Sequence, residues 1–307
     1  MIVAIVESPL QLLNAFEAAT YFKSQKTLYI ARLSGEQKND EQIHHVANSL
    51  QLNKFIKILV PIKKIDLVVF FKILFFKLLL FFISFFAKKI VVGNYDSKFI
   101  KFLLGRQQSK VLLVDDGAKS LSQQSRFSDK NNIDFFSMYE LVAWDNQQVY
   151  RNKYQGLHSI LDGSNNKKNE SQVLFLGAKL SEINFLTEDK YLNYIRQIQS
   201  HYALEGLILV YVPHRGESLE KLNAIRSSLG IEIQILDYPI ELIGVYQENI
   251  PYKAASFYST ALFSLNVIYG VEVDCFEFDF TELPNKEAIK EVYDLYRDIY
   301  SVVFLHD

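Results

Sequence analysis

Three short blocks of this chain carry side chains that could do chemistry. Val111-Leu112-Leu113-Val114 reads as a buried strand and stops at Asp115-Asp116-Gly117, two acids followed by a residue that permits a tight turn. Gly206-Leu207-Ile208-Leu209-Val210-Tyr211-Val212 stops in the same manner at Pro213-His214-Arg215-Gly216-Glu217, and Ser256-Phe257-Tyr258-Ser259-Thr260 sets hydroxyls ahead of a helix starting at Ala261. A carboxylate can take the proton of an attacking hydroxyl, and an imidazole can protonate or hydrogen-bond a leaving phosphate. A guanidinium forks onto phosphate or carboxylate oxygens, while hydroxyls and free N–H groups at a helix start bind phosphate. Delivered from loops after separate elements, such groups point to an enzyme of group transfer. Each block also has a plainer reading: an acidic turn, a capping histidine beside a surface Arg215–Glu217 pair, and hydroxyls that only cap a helix.

Regular elements must position these blocks. Ile2 to Val6 reads as a first strand, and Ser8-Pro9 supplies an N-cap and a first helical residue for a helix from Leu10 to Phe22. Thr27 to Ala31, Phe55 to Val60, Lys89 to Val92 and Val111 to Val114 are further strands separated by helical stretches. That alternation predicts an α/β fold with a parallel sheet wrapped on both faces. Asp162 to Gln172 contains no apolar residue and reads as a linker. Beyond it the alternation restarts, with strands at Val173 to Leu176, Leu207 to Val212 and Glu232 to Leu236, and helices at Thr187 to His201 and Ser218 to Ser228. A last helix, Lys286 to Val303, carries Ile289, Val292, Tyr293, Tyr296, Ile299 and Tyr300 at helical spacing and is expected to brace the domains. The expected organisation is a first domain over 1–165, a second over 170–285 and a bracing helix over 286–307.

Composition narrows the function classes. The 307 residues suit two domains, and a net charge of −2 without an arginine-rich or aromatic-basic motif argues against a nucleic-acid partner. The single cysteine, Cys275, rules out an internal disulfide framework or a cysteine-rich metal site and fits a reducing cytosol. It reads as a small buried hydrophobe in the strand-like stretch Val271 to Phe278. The amino-terminal residues lack the basic start and cleavage site of a signal peptide.

Leu67 to Phe86 is apolar except for Lys72, Lys77 and Ser84. Its length could span a bilayer, yet each lysine would cost about 2.5–3.5 kcal/mol at the membrane centre. Spanning would also separate the first strands from the rest of their sheet. Two readings stay open: a helix on a membrane surface with lysines reaching the head groups, or a helix buried in the core or in a dimer interface.

Taken together, the blocks resemble the bacterial sialyltransferases and polysialyltransferases, above all glycosyltransferase family 52 and its capsule-forming relatives. Asp115-Asp116-Gly117, Pro213-His214-Arg215-Gly216-Glu217 and Ser259-Thr260 stand in the family's motif order. Glu7-Ser8-Pro9-Leu10-Gln11 is similar to its first strand-to-helix turn, Phe175-Leu176-Gly177 to the opening strand of its donor domain and Tyr238-Pro239-Ile240-Glu241-Leu242 to its Pro-x-Glu segment. One departure is Arg215, where the narrower polysialyltransferase motif has proline.

The resemblance implies two Rossmann-like domains facing a cleft, the GT-B type. It implies inverting transfer of a nonulosonic acid (sialic, legionaminic or pseudaminic acid) from its CMP-activated form, without an essential metal or other cofactor. The acceptor would be a glycan or glycolipid of capsule or lipooligosaccharide, and the enzyme would sit on the inner face of the cytoplasmic membrane. Asp115 or Asp116 would act as base and His214 would serve the departing phosphate. Arg215, Glu241, Ser256, Ser259, Thr260 and Gly177 would hold the donor, with Ser8, Pro9, Gln11 and Gly117 on the acceptor side. A homodimer is a further expectation. Another nucleotide sugar as donor, or a non-catalytic membrane-associated scaffold of a capsule assembly complex, are the competing readings.

Overall fold

A computed structural model describes residues 1–61, 67–101, 110–117, 120, 133–143, 147–164, 166–284 and 286–306. The chain divides into two compact units, Met1–Gly163 with Asp237–Val245, and Ser164–Leu236 with Tyr246–Asp307.

The first unit opens with β1 (Ile2–Val6), buried at every position, and α1 (Pro9–Tyr21). Ser8 caps α1 by accepting the Gln11 amide, and Pro9 takes the first turn, where no donor is needed. Then come β2 (Thr27–Leu33), α2 (Gln37–Ser49), β3 (Phe55–Leu59), α3 (Leu67–Ser84), β4 (Lys89–Val92), β5 (Lys110–Val114), β6 (Ile133–Ser137), β7 (Val149–Arg151) and α4 (Gln155–Leu161). The strands form one parallel sheet in the order β3-β2-β1-β4-β5-β6-β7. The chain reverses its direction of travel across the sheet between β1 and β4, the point at whose carboxyl edge open parallel sheets generally bind ligands.

The second unit repeats the plan with β8 (Lys167–Leu176), α5 (Glu188–Leu204), β9 (Ile208–Val212), α6 (Leu219–Leu229) and β10 (Glu232–Ile233). A 3-10 turn (Ile240–Leu242) leads into α7 (Ile243–Tyr246), followed by β11 (Asn249–Ser256), α8 (Ala261–Tyr269), β12 (Glu272–Glu277), α9 (Lys286–Ile299) and β13 (Ser301–Phe304). These strands are again parallel, in the order β10-β9-β8-β11-β12-β13, with the reversal between β8 and β11. Two Rossmann-like α/β units are therefore what the alternation and the resemblance led one to expect.

Several boundaries differ from the sequence reading for physical reasons. The polar stretch expected to be a linker is largely strand: Lys167 to Gln172 extend β8 beyond the sheet's apolar centre and pair with β11 through Asn249 and Ile250. Backbone hydrogen bonds hold that overhang while its side chains stay largely in water. The expected strand Glu232 to Leu236 shrinks to Glu232–Ile233. Residues 286–304 form a helix and an edge strand of the second unit; Ile289, Val292, Tyr293 and Tyr296 are buried as the spacing predicted, whereas the helix ends at Ile299, which is exposed, and Tyr300 beyond it is half-buried. Cys275 is buried, its thiol donating to the Phe257 carbonyl.

The apolar helix α3 buries one stripe, Val69, Phe76 and Leu80, with Ile73 and Ile83 at its margins. Phe76 and Leu80 join the core that includes Val3, Ile5, Val92 and Val111 under the first sheet. A helix held this way does not span a bilayer, and among the described residues no helix is long and apolar enough to do so.

Packing of the first unit turns on Glu17, which is buried on α1 and accepts the amides of Gly156 (2.8 Å) and Leu157 (2.7 Å) at the start of α4. These are donors that a helix cannot satisfy internally. Burial raises the Glu17 carboxyl to about 7, against the lowering effect of those two bonds. Glu17→Ala would leave both amides without their acceptor, so chemical denaturation should show a loss of about 2 kcal/mol or more. An unchanged midpoint would contradict the clamp.

Candidate active site

In the first unit the carboxyl edge gathers β1, β4, β5 and β6. Parallel register brings Ile5 beside Val92, Val92 beside Leu113 and Val114 beside Phe136, so the following residues leave the sheet side by side. The two acids after β5 have different fates. Asp115 is 1% exposed, and both its oxygens are engaged: Ser137 Oγ donates to Oδ1 and the Met138 amide to Oδ2, each at 2.7 Å. Asn14 on α1 donates to its backbone carbonyl at 3.0 Å. Burial pushes the Asp115 carboxyl up to about 6, with the Met138 and Ser137 bonds opposing. Asp115 thus fastens the end of β5 to the end of β6 and has no oxygen turned to a substrate. Asp116 is half-buried and accepts the Ser8 hydroxyl at 3.3 Å, and its own amide donates to Ser120 Oγ. Gly117 follows at φ +68°, a turn that an L side chain would strain.

The loop after β1 has its own division of labour. Ser8 joins the α1 cap to Asp116, whereas Pro9 and Gln11 are buried. Gln11 Oε1 accepts the Glu7 amide at 2.8 Å, and Gly93 after β4 makes room for that side chain, since an added Cβ would overlap it. Glu7 itself binds Arg32 Nε at 2.5 Å and Ser97 Oγ at 2.8 Å, while Arg32 also donates to the Val60 carbonyl and lies 4.5 Å from the Phe99 ring centre. This Glu7–Arg32–Ser97 cluster was not anticipated. Its signal, an arginine inside an apolar strand, is present at Arg32 and demands a buried anion.

In the second unit Leu176 of β8 aligns with Val212 of β9 on one side and with Ser256 of β11 on the other. Gly177, Pro213 and Phe257 therefore leave the sheet together. Glu217 does not pair at the surface with Arg215. It is buried and accepts the His214 amide (2.6 Å), the Tyr211 hydroxyl (2.6 Å) and Lys221 Nζ (2.7 Å). Lys221 is fully buried, donates also to Glu182 and the Ala178 carbonyl at 3.0 Å each, and sits 4.0 Å from the Tyr191 ring centre. Burial pushes the Glu217 carboxyl up and Lys221 draws it down. Gly177 lies against this cluster: an added Cβ would overlap Glu217 Oε2 and the Tyr211 hydroxyl.

With its amide held by Glu217, His214 turns its ring outward. Nδ1 accepts the Gly216 amide at 3.0 Å, so the proton of the neutral ring is assigned to Nε2. Partial burial first, then the charges of Arg215 and Lys179, hold its pKa below the ordinary histidine range. The residue still has an open surface, and the direction alone makes it a neutral N–H donor at pH 7. Arg215 is half-buried in the same loop.

The hydroxyl block also divides. Ser256 is buried and donates to the Leu176 carbonyl at 2.6 Å, tying β11 to β8. Ser259 and Thr260 are half-buried at the start of α8, and Thr260 makes no side-chain cap. Tyr296 fixes this loop by donating to the Ser259 carbonyl at 2.5 Å. Glu241, expected on the donor side, is buried in the 3-10 turn of the segment that belongs to the first unit.

No family model and no curated protein matches this sequence. Solved structures do match in fold. MnaA of S. aureus in complex with UDP is 12% identical, covering 97% of this chain and 87% of its own at a TM-score of 0.59. A Listeria monocytogenes protein named as a UDP-N-acetylglucosamine 2-epimerase is 14% identical over 97% and 88%, at 0.58. UGT89C1 of Arabidopsis thaliana complexed with UDP-L-rhamnose is 10% identical over 99% and 84%, at 0.56. The expected kinship with sialyltransferases of glycosyltransferase family 52 is thereby corrected: these three similar structures are of proteins described with UDP or a UDP-sugar, and they share the GT-B fold.

Two stability measurements check the assigned anchors. Gly177→Ala should destabilise the protein by about 1–3 kcal/mol or more, because the new methyl group must displace a buried ion pair. The raised Asp115 carboxyl means that the folded chain holds this proton more tightly than the unfolded one between about pH 4 and pH 6. Its contribution to stability therefore falls as pH rises through that window, by roughly 3 kcal/mol at 1.36 kcal/mol per pH unit. Asp115→Asn does not titrate, so the wild-type advantage over it should shrink by that amount across the window. A pH-independent gap would show that Asp115 does not carry the burial assigned to it.

Proposed function

We propose that the protein is a glycosyltransferase that moves a sugar from a nucleotide-activated donor to an acceptor hydroxyl. The observation that carries this reading is the matched construction of the two carboxyl edges. One displays the half-open carboxylate of Asp116, and the other displays a neutral imidazole N–H after β9 and, across β8, the start of α8 after β11. The shared fold with proteins bound to UDP and UDP-L-rhamnose supports a nucleotide-sugar ligand.

Asp116 takes the proton of the acceptor hydroxyl as that oxygen attacks the anomeric carbon, and Ser8 holds the carboxylate in place. Asp115, saturated and enclosed, positions the loop instead. The second unit holds the leaving nucleotide. His214 Nε2–H donates to a phosphate oxygen, with Arg215 and the hydroxyls of Ser259 and Thr260 completing a set of donors. The bond broken is that between the anomeric carbon and the phosphate oxygen, and the new bond joins that carbon to the acceptor oxygen. No resident metal is part of this scheme.

The donor base separates two forms of the proposal. UDP is suggested by the structural neighbours, whereas a CMP-activated nonulosonic acid rests only on the motif resemblance that those neighbours correct. A thermal-shift panel of UDP, CMP, GDP and dTDP distinguishes them, since a ligand at a hundred times its Kd stabilises by about 2.7 kcal/mol and raises the melting point by several degrees. Absence of any shift favours a non-catalytic scaffold instead.

Asp116→Asn should reduce transfer by about 10²–10⁴-fold while leaving nucleotide affinity unchanged. His214→Ala should weaken the nucleotide about tenfold, the worth of one hydrogen bond to a charged group. Because the imidazole donates while neutral, affinity for the intact nucleotide sugar should stay level from pH 6 to pH 8. An affinity that falls with rising pH would mean that imidazolium, not imidazole, holds the phosphate.

A further inference from the structure

We propose that the outer face of α3 is a docking surface for a lipid bilayer that contains anionic head groups. The helix is divided by its own packing. Val69, Phe76 and Leu80 bury toward the first sheet, while Phe71, Leu74, Phe75, Leu78 and Phe82 on the other side are 44–63% exposed. Phe85 and Phe86, just past its end, are 70% and 75% exposed. Soluble surfaces rarely carry so continuous an apolar strip without an occupant.

Charge identifies that occupant. At roughly 100° per residue, Lys72 and Lys77 fall on opposite flanks, between the buried stripe and the apolar face. Lys88 is exposed just beyond Phe86, and no acid occurs from residue 67 to residue 95. A helix lying in the head-group layer has this arrangement, with rings in the acyl boundary and amines reaching sideways to phosphates. Each such lysine adds attraction to an anionic surface. A second copy of the chain fits less well: two such faces meeting about a twofold axis would bring lysines together with no carboxylate on either helix to pair with them. Lys89, past the end of the helix, lies 3.6 Å from Asp134 and over the Phe22 ring.

The proposal does not depend on which nucleotide binds or on any turnover. Full-length protein is sedimented with vesicles of phosphatidylcholine alone or of phosphatidylcholine with phosphatidylglycerol. Binding to the anionic vesicles should be roughly tenfold tighter and should weaken as salt is raised. Phe71→Ser with Phe75→Ser should lower binding more than about tenfold with an unchanged melting point, since both rings already face solvent. Lys72→Gln with Lys77→Gln should remove the preference for anionic lipid, which keeps the test decisive if the first pair misfolds. Binding to neither vesicle, equal binding by both variants and the wild type, or a stable dimer that shields α3 in ultracentrifugation and surface labelling would each overturn it.

Discussion

Every turn that follows a parallel strand leaves backbone N–H groups without a ladder partner, and much of this molecule is arranged to supply acceptors for them. Several of the acceptors are acids, on a neighbouring element or in the turn itself. Asp115 receives the Met138 amide, Glu217 the His214 amide, and Glu17 the amides of Gly156 and Leu157. Burying carboxylates for this purpose is costly, and the raised pKa values of Asp115 and Glu17 express that cost. What is gained is loops of defined shape at the edge where a Rossmann sheet meets its ligands.

The same demand explains why each chemical block splits into an anchor and a displayed group. Asp115 is enclosed and Asp116 faces outward; Glu217 is enclosed and His214 faces outward; Ser256 is enclosed while Ser259 and Thr260 stand half-open. An anchor one to four residues from the displayed side chain fixes the backbone beneath it. That is the positional control that proton transfer and phosphate recognition require.

Much of the fold was legible because short β-branched runs such as Ile2–Val6 and Lys89–Val92 announce buried parallel strands, and Ser8-Pro9 or Ser218 announce helix starts. β6 and β7 were missed: Ile133–Ser137 places an acid and a serine among three apolar residues, and Val149–Arg151 is only three residues long. The polar half of β8 was misread because its stability lies in backbone pairing, which leaves no apolar pattern. For the site, residue type identified the blocks but not which member would be buried. The family resemblance misled for a related reason. An acidic turn, a histidine turn and a hydroxyl turn after successive strands arise readily when parallel sheets present loops at one edge, and their order along the chain merely follows the order of the strands.

The path of the backbone carries a consequence of its own. Asp237–Val245, with Leu242 and Ile243 buried, departs from the second unit's run of residues to complete the first, and the chain then returns for β11. A gene cut after the codon for Gly163 would not release two autonomous halves. The amino-terminal fragment would lack a ribbon of its own interior, and the carboxy-terminal fragment would carry that greasy ribbon without a home. Maturation during synthesis is thus interlocked: the first-made half must wait for a stretch that leaves the ribosome only after most of its successor has emerged.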